Sequence, residues 1–355
     1  MEQCGAATAR GPSVSELRNS RPPARRLRPI LDKKFNSAYN RNDRLQAADS
    51  FSSGECMAGI SIREKYGDVL KQLAKVSVAA DKIDETNVYQ KANPQTRKFI
   101  DVLVGDHLAE GSRLENKENW HAFYEAVKSG KSGLILMEHY SNADLPALCW
   151  LLEHDLGEAG KDLSSKIVAI AGMKLNEADP GVKAFAESFS RVVIYPTRSL
   201  NAAEEKAQTE EERIAEEKKA RTINLAAMRA MDKCKRDGEV ILVFPSGTRY
   251  RPGHPETKRG LKEIDSYLRM FDVMVLVTIN GQILSIDMDN PDDMLADKLE
   301  SAVQIFAASP VITCKQYRKD YLATLPEDCP DPKQAMIDHV MSEFDRQHEE
   351  IAKLM

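Results

Sequence analysis

The sequence predicts an α/β fold in which helices flank a mostly parallel sheet, preceded by a small N-terminal helical domain. Five short runs rich in Val and Ile recur in the second part of the chain, and helical patterns separate them. Continuous apolar runs are typical of strands that are buried on both faces of a sheet. The runs span residues 133–137, 166–172, 191–196, 239–245 and 273–278, and the helical patterns span residues 145–155, 180–189 and 203–236.

Residues 57–130 carry helical periodicity instead. From Ser61 to Val76, apolar residues recur at every third or fourth position, and a second such pattern begins at Asn93-Pro94. A third pattern contains Trp120 and ends at Gly130, where glycine commonly stops a helix. We therefore predict a helical domain at residues 57–130 and an α/β domain at residues 131–355.

Residues 1–56 differ from the rest in composition. They contain ten basic and six acidic residues, are rich in Arg, Ser and Pro, and have no apolar core typical of a secretory signal. Three interpretations remain open: a disordered basic arm, an organelle transit peptide, or an extension ahead of a start at Met57.

Composition excludes several functional classes. The chain has 355 residues with 50 basic and 55 acidic side chains, so its net charge is −5, and the part after residue 56 is the more acidic. An acidic body disfavours nucleic-acid binding, which needs a basic face. No stretch approaches the roughly 18 apolar residues needed to cross a bilayer, although peripheral membrane contact stays possible. The six cysteines are scattered without a C-x-x-C pair, so neither a zinc site nor a disulfide framework is expected.

A histidine and an aspartate follow the first predicted strand. His139 comes just after residues 133–137, and Asp144 lies five residues on, where a helical pattern begins. Pro146 fixes the helix start nearby, because proline is tolerated only in a first turn. A sharp turn would let the carboxylate orient the imidazole and leave its other nitrogen as a general base. The alternative is that Asp144 only caps the helix and His139 is an ordinary polar residue at a strand end.

Four basic residues follow other predicted strands. Arg249 and Arg251 come after residues 239–245, and in an extended loop residues two apart point the same way. A guanidinium stays charged and binds phosphate through two hydrogen bonds. Lys174 and Arg198 come after the second and third predicted strands and join the candidate phosphate ligands at the same sheet edge. The alternative is that all four are solvated surface charges.

Taken together, these blocks resemble the glycerolipid acyltransferase family. A strand ending in H-x-x-x-x-D is followed by K-x-x-x-x-x-P, by a strand ending near an arginine, and by F-P-x-G-T-R-x-R. The chain is most similar to the soluble, plastid-type glycerol-3-phosphate acyltransferases, whose motif P-S-G-x-R-x-R-P matches residues 245–252. That branch has a Lys-His pair near the end of its third strand, where this chain has Pro196-Thr197-Arg198-Ser199, so Arg198 alone would serve there. The resemblance covers residues 120–290.

The resemblance implies an enzyme of phospholipid synthesis that acylates glycerol 3-phosphate. His139, oriented by Asp144, would be the general base, and Arg249, Arg251, Arg198 and Lys174 would bind the substrate phosphate. We expect no cofactor, and no metal either, because no cluster of His, Cys or carboxylate residues has the spacing of metal ligands. The acyl donor would be acyl-CoA or acyl-carrier protein, and the sequence leaves the choice between them open.

Two other functions and two locations stay open. The same residues could acylate lysophosphatidate, the 1-acylglycerol-3-phosphate. A non-catalytic interaction protein could instead use the charged segment 203–221. We expect a cytoplasmic protein that can contact a membrane face, or a protein of the plastid stroma if residues 1–56 are a transit peptide.

Overall fold

A nine-stranded sheet is the central element of the part of the chain that the computed structural model describes, which comprises residues 59–80, 82–176 and 179–355. Only the backbone is described for Lys174 and Asn176. The predictions for residues 1–56 lie outside the described residues.

Strands and helices alternate through most of the described chain. The strands are β1 (Ile60–Ser61), β2 (Tyr89–Gln90), β3 (Arg113–Glu115), β4 (Gly133–Met137), β5 (Ile167–Gly172), β6 (Arg191–Ile194), β7 (Val240–Val243), β8 (Val273–Asn280), β9 (Leu284–Ser285), β10 (Lys298–Leu299), β11 (Ile305–Ala308) and β12 (Ile312–Thr313). The helices are α1 (Ile62–Val76), α2 (Pro94–His107), α3 (Lys117–Lys128), α4 (Asp144–Asp155), α5 (Gly157–Lys166), α6 (Pro180–Ala186), α7 (Thr197–Glu204), α8 (Glu210–Arg236), α9 (Asp265–Met270), α10 (Cys314–Leu322) and α11 (Pro332–Ala352).

The five predicted strands are β4 to β8, and they form the parallel centre of the sheet. Their order is β6-β5-β7-β4-β8, and each neighbouring pair is parallel. Every residue of β4, β7 and β8 is buried, as expected for strands covered on both faces. The predicted α/β fold with a mostly parallel sheet is confirmed.

Short strands complete the two edges of this sheet. β2 pairs with β6 in antiparallel fashion at one edge, and β11 and β12 pair with β8 in the same way towards the other. β3 then pairs parallel to β11. A separate three-stranded antiparallel sheet has the order β1-β10-β9.

The helices predicted before residue 130 are present as α1, α2 and α3. Ser61 and Glu64 begin α1 with a capping box, in which each side chain accepts a hydrogen bond from the other residue's backbone N–H. Asn93 caps α2, with Pro94 as its first residue. Because β3 lies between α2 and α3 and joins the large sheet, this region also contributes a strand. The division into two domains at residue 130 stays a prediction.

The predicted helical connection 203–236 is two helices. α7 ends at Glu204, and Thr209 begins α8 by accepting a hydrogen bond from Glu212 N. Within α8, Glu217 accepts a hydrogen bond from Arg213, 3.0 Å away and one turn earlier. None of the helices in the described ranges is both long and apolar enough to span a membrane.

Candidate active site

The candidate site lies at the carboxyl edge of the parallel strands, where β4 and β7 are neighbours. His139 follows β4 by two residues, and Phe244 is the first residue after β7. The two rings stack with their centroids 3.8 Å apart and their planes 15° from parallel. The parallel pairing of two strands therefore holds the imidazole flat against an aromatic face.

Asp144 binds the same imidazole from the start of α4. Its Oδ2 lies 3.0 Å from His139 Nδ1, and the aspartate side chain is fully buried. The carboxylate also accepts hydrogen bonds from Tyr140 N (2.6 Å), Ser141 N (2.8 Å) and Ser141 Oγ (2.9 Å). These bonds hold the turn rigidly and make Nδ1 the protonated nitrogen, because a carboxylate can only accept. Nε2 accepts no hydrogen bond from any described residue, so its lone pair is available as a base.

The loop that carries the two arginines lies directly beside His139. Tyr250, which separates Arg249 from Arg251, donates its backbone N–H to His139 O over 2.7 Å. Gly247 has a φ of +63°, a left-handed conformation that glycine adopts without strain, and it turns the loop back after β7. The geometry thus brings the predicted histidine, aspartate and two arginines to one edge of the sheet.

Arg249 is a buried member of an ion pair. Its Nη1 donates to Asp297 Oδ2 and its Nη2 donates to Pro291 O over 3.1 Å. Asp297 is itself fully buried, and its Oδ1 has no hydrogen-bond partner among the described residues. Burial raises the pKa of the Asp297 carboxyl to about 6, although the neighbouring Arg249 guanidinium acts in the opposite direction. Asn142, in the turn after His139, also reaches Asp297 Oδ2 at 3.4 Å.

Arg251 is more accessible than Arg249. Its Nη2 lies 3.1 Å from Asp292 Oδ1, and the Asp292 side chain is 94% exposed. Exposed pairs of this kind contribute little free energy, so an incoming anion can replace Asp292 at small cost. Arg251 Nε has no hydrogen-bond partner among the described residues. Of the two arginines, Arg251 is the one that is free to bind a ligand.

An apolar cavity begins at His139. It encloses about 800 Å³, including its open mouth, and His139 and Phe244 form one part of its wall. The other walls come from α4, β5, α6 and the segment Met294–Leu295, and nearly all the residues that line it are apolar. His139 therefore borders a cavity lined mainly by apolar side chains, and its backbone oxygen binds the loop that carries the two arginines.

A comparison with known families agrees with this geometry. Residues 112–275 match the model of the Acyltransferase family. This part of the chain is therefore similar to acyltransferase domains. The match includes every predicted site residue and supports the resemblance to glycerolipid acyltransferases. A comparison with curated proteins gives no match.

The other two predicted phosphate ligands, Arg198 and Lys174, follow β6 and β5 rather than β7. Arg198 is exposed in the first turn of α7, where it borders a shallow depression together with Arg259 and Lys262. It does not line the apolar cavity. Lys174 stands on the short 3-10 turn that follows β5, and its side chain is not among those described. The phosphate-binding roles of both residues stay predictions.

Sequence reasoning missed two residues of this site. Asp297 lies 48 residues after its partner Arg249, within a segment that contains several other acidic residues. Arg191 lines the apolar cavity, although it begins a strand and reads in sequence as the charged end of a Val-Ile run. No local pattern marks either residue, because Asp297 binds a residue 48 positions away and Arg191 lines a cavity built from several elements.

Proposed function

We propose that the protein is a glycerol-3-phosphate 1-O-acyltransferase, which moves a fatty acyl group from a thioester to glycerol 3-phosphate and forms lysophosphatidate. The observation that carries this proposal is the His139–Asp144 pair, because His139 lines an apolar cavity and its backbone oxygen accepts a hydrogen bond from the arginine loop. The acyltransferase match supports the reaction type, and the two arginines support a phosphorylated acceptor.

The reaction needs one general base and no nucleophile from the protein. His139 Nε2 takes the proton of the glycerol 1-hydroxyl while that oxygen attacks the thioester carbonyl carbon. The carbon–sulfur bond then breaks, and the departing thiolate takes the proton back from the imidazolium. Asp144 stays ionised, holds the ring by its Nδ1–H, and stabilises the imidazolium while it exists. The products are lysophosphatidate and the free thiol.

The phosphate of the acceptor provides the energy that positions the hydroxyl. Arg251 would contact it directly, and Arg249 would present a second guanidinium if the substrate displaced part of the Asp297 pair. Arg198 and Lys174 remain candidate outer ligands. Holding a reactant in the correct geometry can contribute several kcal/mol to the lowering of the barrier. The same binding energy would select a phosphorylated alcohol over free glycerol.

The apolar cavity would hold the acyl chain of the donor. Its wall contacts His139, so the thioester carbonyl would lie at the cavity mouth with the thiol group outside. Either acyl-CoA or acyl-carrier protein would present its phosphopantetheine there. The apolar cavity that His139 lines in the described part of the chain would be filled by the donor chain, and this favours an acceptor without a chain of its own.

The test is an acyl-transfer assay on the full chain. The protein is incubated with palmitoyl-CoA or palmitoyl-acyl-carrier protein and with either glycerol 3-phosphate or lysophosphatidate, and free thiol is measured. We expect thiol release with glycerol 3-phosphate and none with glycerol. Release only with lysophosphatidate would select the other acyltransferase activity, and no release with any acceptor would reject the proposal.

A further inference from the structure

Arg191 lines the same apolar cavity as His139, and the two residues are far apart along the sheet. Arg191 is the first residue of β6, and its partner in β5 is Ala169. Ala169 pairs with Leu242 of β7, and Leu242 pairs in turn with Ile135 of β4. His139 is four residues beyond Ile135 along the strand direction, and β4 is three strands away from β6. At about 3.3 Å per residue and about 4.8 Å per strand, the two backbones are on the order of 20 Å apart.

The guanidinium of Arg191 is buried with few partners. The residue is 3% exposed, its Nη1 donates to Ala186 O over 3.1 Å, and its Nε has no hydrogen-bond partner among the described residues. A guanidinium has five N–H donors, and buried donors are rarely left unpaired. Burial lowers the pKa of Arg191 to about 10, so the group remains charged at neutral pH.

The Glu187 carboxylate near Arg191 makes hydrogen bonds to other residues. Glu187 favours the charged form of Arg191. However, its carboxylate oxygens accept hydrogen bonds from Asn93 Nδ2, Ser77 Oγ and Val78 N. The cavity wall around Arg191 is formed by apolar side chains, among them Val182, Phe185 and Phe189. Arg191 Nε thus has no acceptor among the described residues, and a molecule that fills the cavity can supply one.

We infer that Arg191 binds an oxygen at the far end of the acyl chain, so that the cavity selects donors whose chain ends in a carboxylate or a hydroxyl group. This inference rests on the proposed function, because it takes the cavity to hold a thioester-linked chain with its carbonyl at His139. A terminal carboxylate would accept two N–H groups of the fork, and a terminal hydroxyl would accept one. An unsubstituted chain would leave the guanidinium without a partner, which costs free energy in an apolar site.

A purely structural role for Arg191 makes a different prediction. Ala186 is the last residue of α6, and a cation beside a helix C-terminus stabilises that helix. If Arg191 did only this, its replacement would lower stability and leave the preference among chains unchanged. The two roles are therefore separated by ligand selectivity rather than by stability.

The experiment measures binding of three CoA thioesters to the full chain by titration calorimetry: hexadecanoyl-CoA, 16-hydroxyhexadecanoyl-CoA and the CoA thioester of hexadecanedioic acid. The bulky CoA group stays outside the cavity and fixes the direction of the chain. We expect at least one of the two oxygen-ended chains to bind about 10-fold or more tightly than the unsubstituted chain, as a hydrogen bond to a charged group predicts. Equal or weaker binding of both, or no binding of any thioester, would overturn the inference.

The matched variants are Arg191→Met and Arg229→Met, of which the second changes an exposed arginine on α8. Arg191→Met should abolish the preference, and Arg229→Met should keep it. If Arg191→Met does not fold, the wild-type comparison still decides. Acyl transfer to glycerol 3-phosphate without any chain preference would remove this inference alone. A chain preference without acyl transfer would remove the proposed function and keep the distal oxygen site.

Discussion

At the scale of single residues, the geometry of the site depends on the hydrogen bonds that the Asp144 carboxylate accepts. One buried carboxylate orients His139 and accepts two backbone N–H groups and a hydroxyl of the same turn. The orientation of the His139 ring is therefore fixed by the local fold of six residues. This explains why the pair could be predicted from sequence, since both partners lie in one turn between a strand and a helix.

Replacing His139 should abolish acyl transfer. His139→Ala removes the only base at the cavity mouth that the proposed reaction uses, and such a loss typically costs 100- to 10,000-fold in rate. Binding of glycerol 3-phosphate should be nearly unchanged, because the arginines remain. The measurement is kcat from thiol release together with acceptor binding by calorimetry. His121→Ala, an exposed histidine on α3, is the control, and full activity of His139→Ala would contradict the mechanism.

The two arginines should respond differently to removal. Arg251→Ala should raise KM for the phosphorylated acceptor with little change in stability, because its partner Asp292 is exposed. Arg249→Ala should destabilise the fold by about 3–5 kcal/mol, because it leaves Asp297 buried without its counter-charge. Urea unfolding and acceptor KM are measured on both variants. Equal stability of the two variants would show that Arg249 is not a structural ion-pair member.

At the scale of elements, the sheet was predictable and some helix boundaries were not. Val-Ile runs identify β4 to β8 because strands covered on both faces leave no polar positions between the apolar ones. The break between α7 and α8 falls in a charged stretch without glycine or proline, so no local stop signal marks it. The short strands β9 and β10 have too few residues to show any period.

The contact between α4 and α5 provides a test of element packing. A Cβ on Gly160 would lie 1.8 Å from Leu152 O, so α5 must move away from α4 if the residue becomes alanine. We expect Gly160→Ala to lower the free energy of unfolding by about 1–3 kcal/mol. Urea unfolding measures this change.

The control for Gly160 is Gly67 in the interior of α1. A Cβ on Gly67 would meet no atom within 4 Å, and alanine is the better helix former. Gly67→Ala should therefore raise the free energy of unfolding by up to about 1 kcal/mol. If Gly160→Ala lowered the free energy of unfolding by no more than the amount by which Gly67→Ala changes it, α4 and α5 would not be closely packed.

At the scale of the whole molecule, stability should depend on pH through Asp297. The folded chain raises the pKa of this carboxyl to about 6, above the value of about 4 expected in an unfolded chain. Between these values the folded state binds the proton more tightly, so this group's contribution to stability falls as pH rises. At pH above about 7 both states are ionised at this position and the contribution is constant.

The variant Asp297→Asn isolates this contribution. We expect the free energy of unfolding of the wild type, minus that of Asp297→Asn, to decrease from pH 4 to pH 6 and to level off near pH 7. Urea unfolding at four pH values provides the measurement. A difference that grows with pH over this range would mean that the Arg249 charge outweighs burial at Asp297.

One stretch of chain touches both halves of the candidate site. Pro291, Asp292 and Asp297 contact the arginine loop, whereas Met294 and Leu295 between them line the apolar cavity. A change in this stretch would then alter the preference for the acyl donor and the preference for the acceptor together. A substitution at Leu295 chosen to admit a different fatty acid should also alter the affinity for the phosphorylated alcohol, so an engineer would have to re-optimise both substrates at every step.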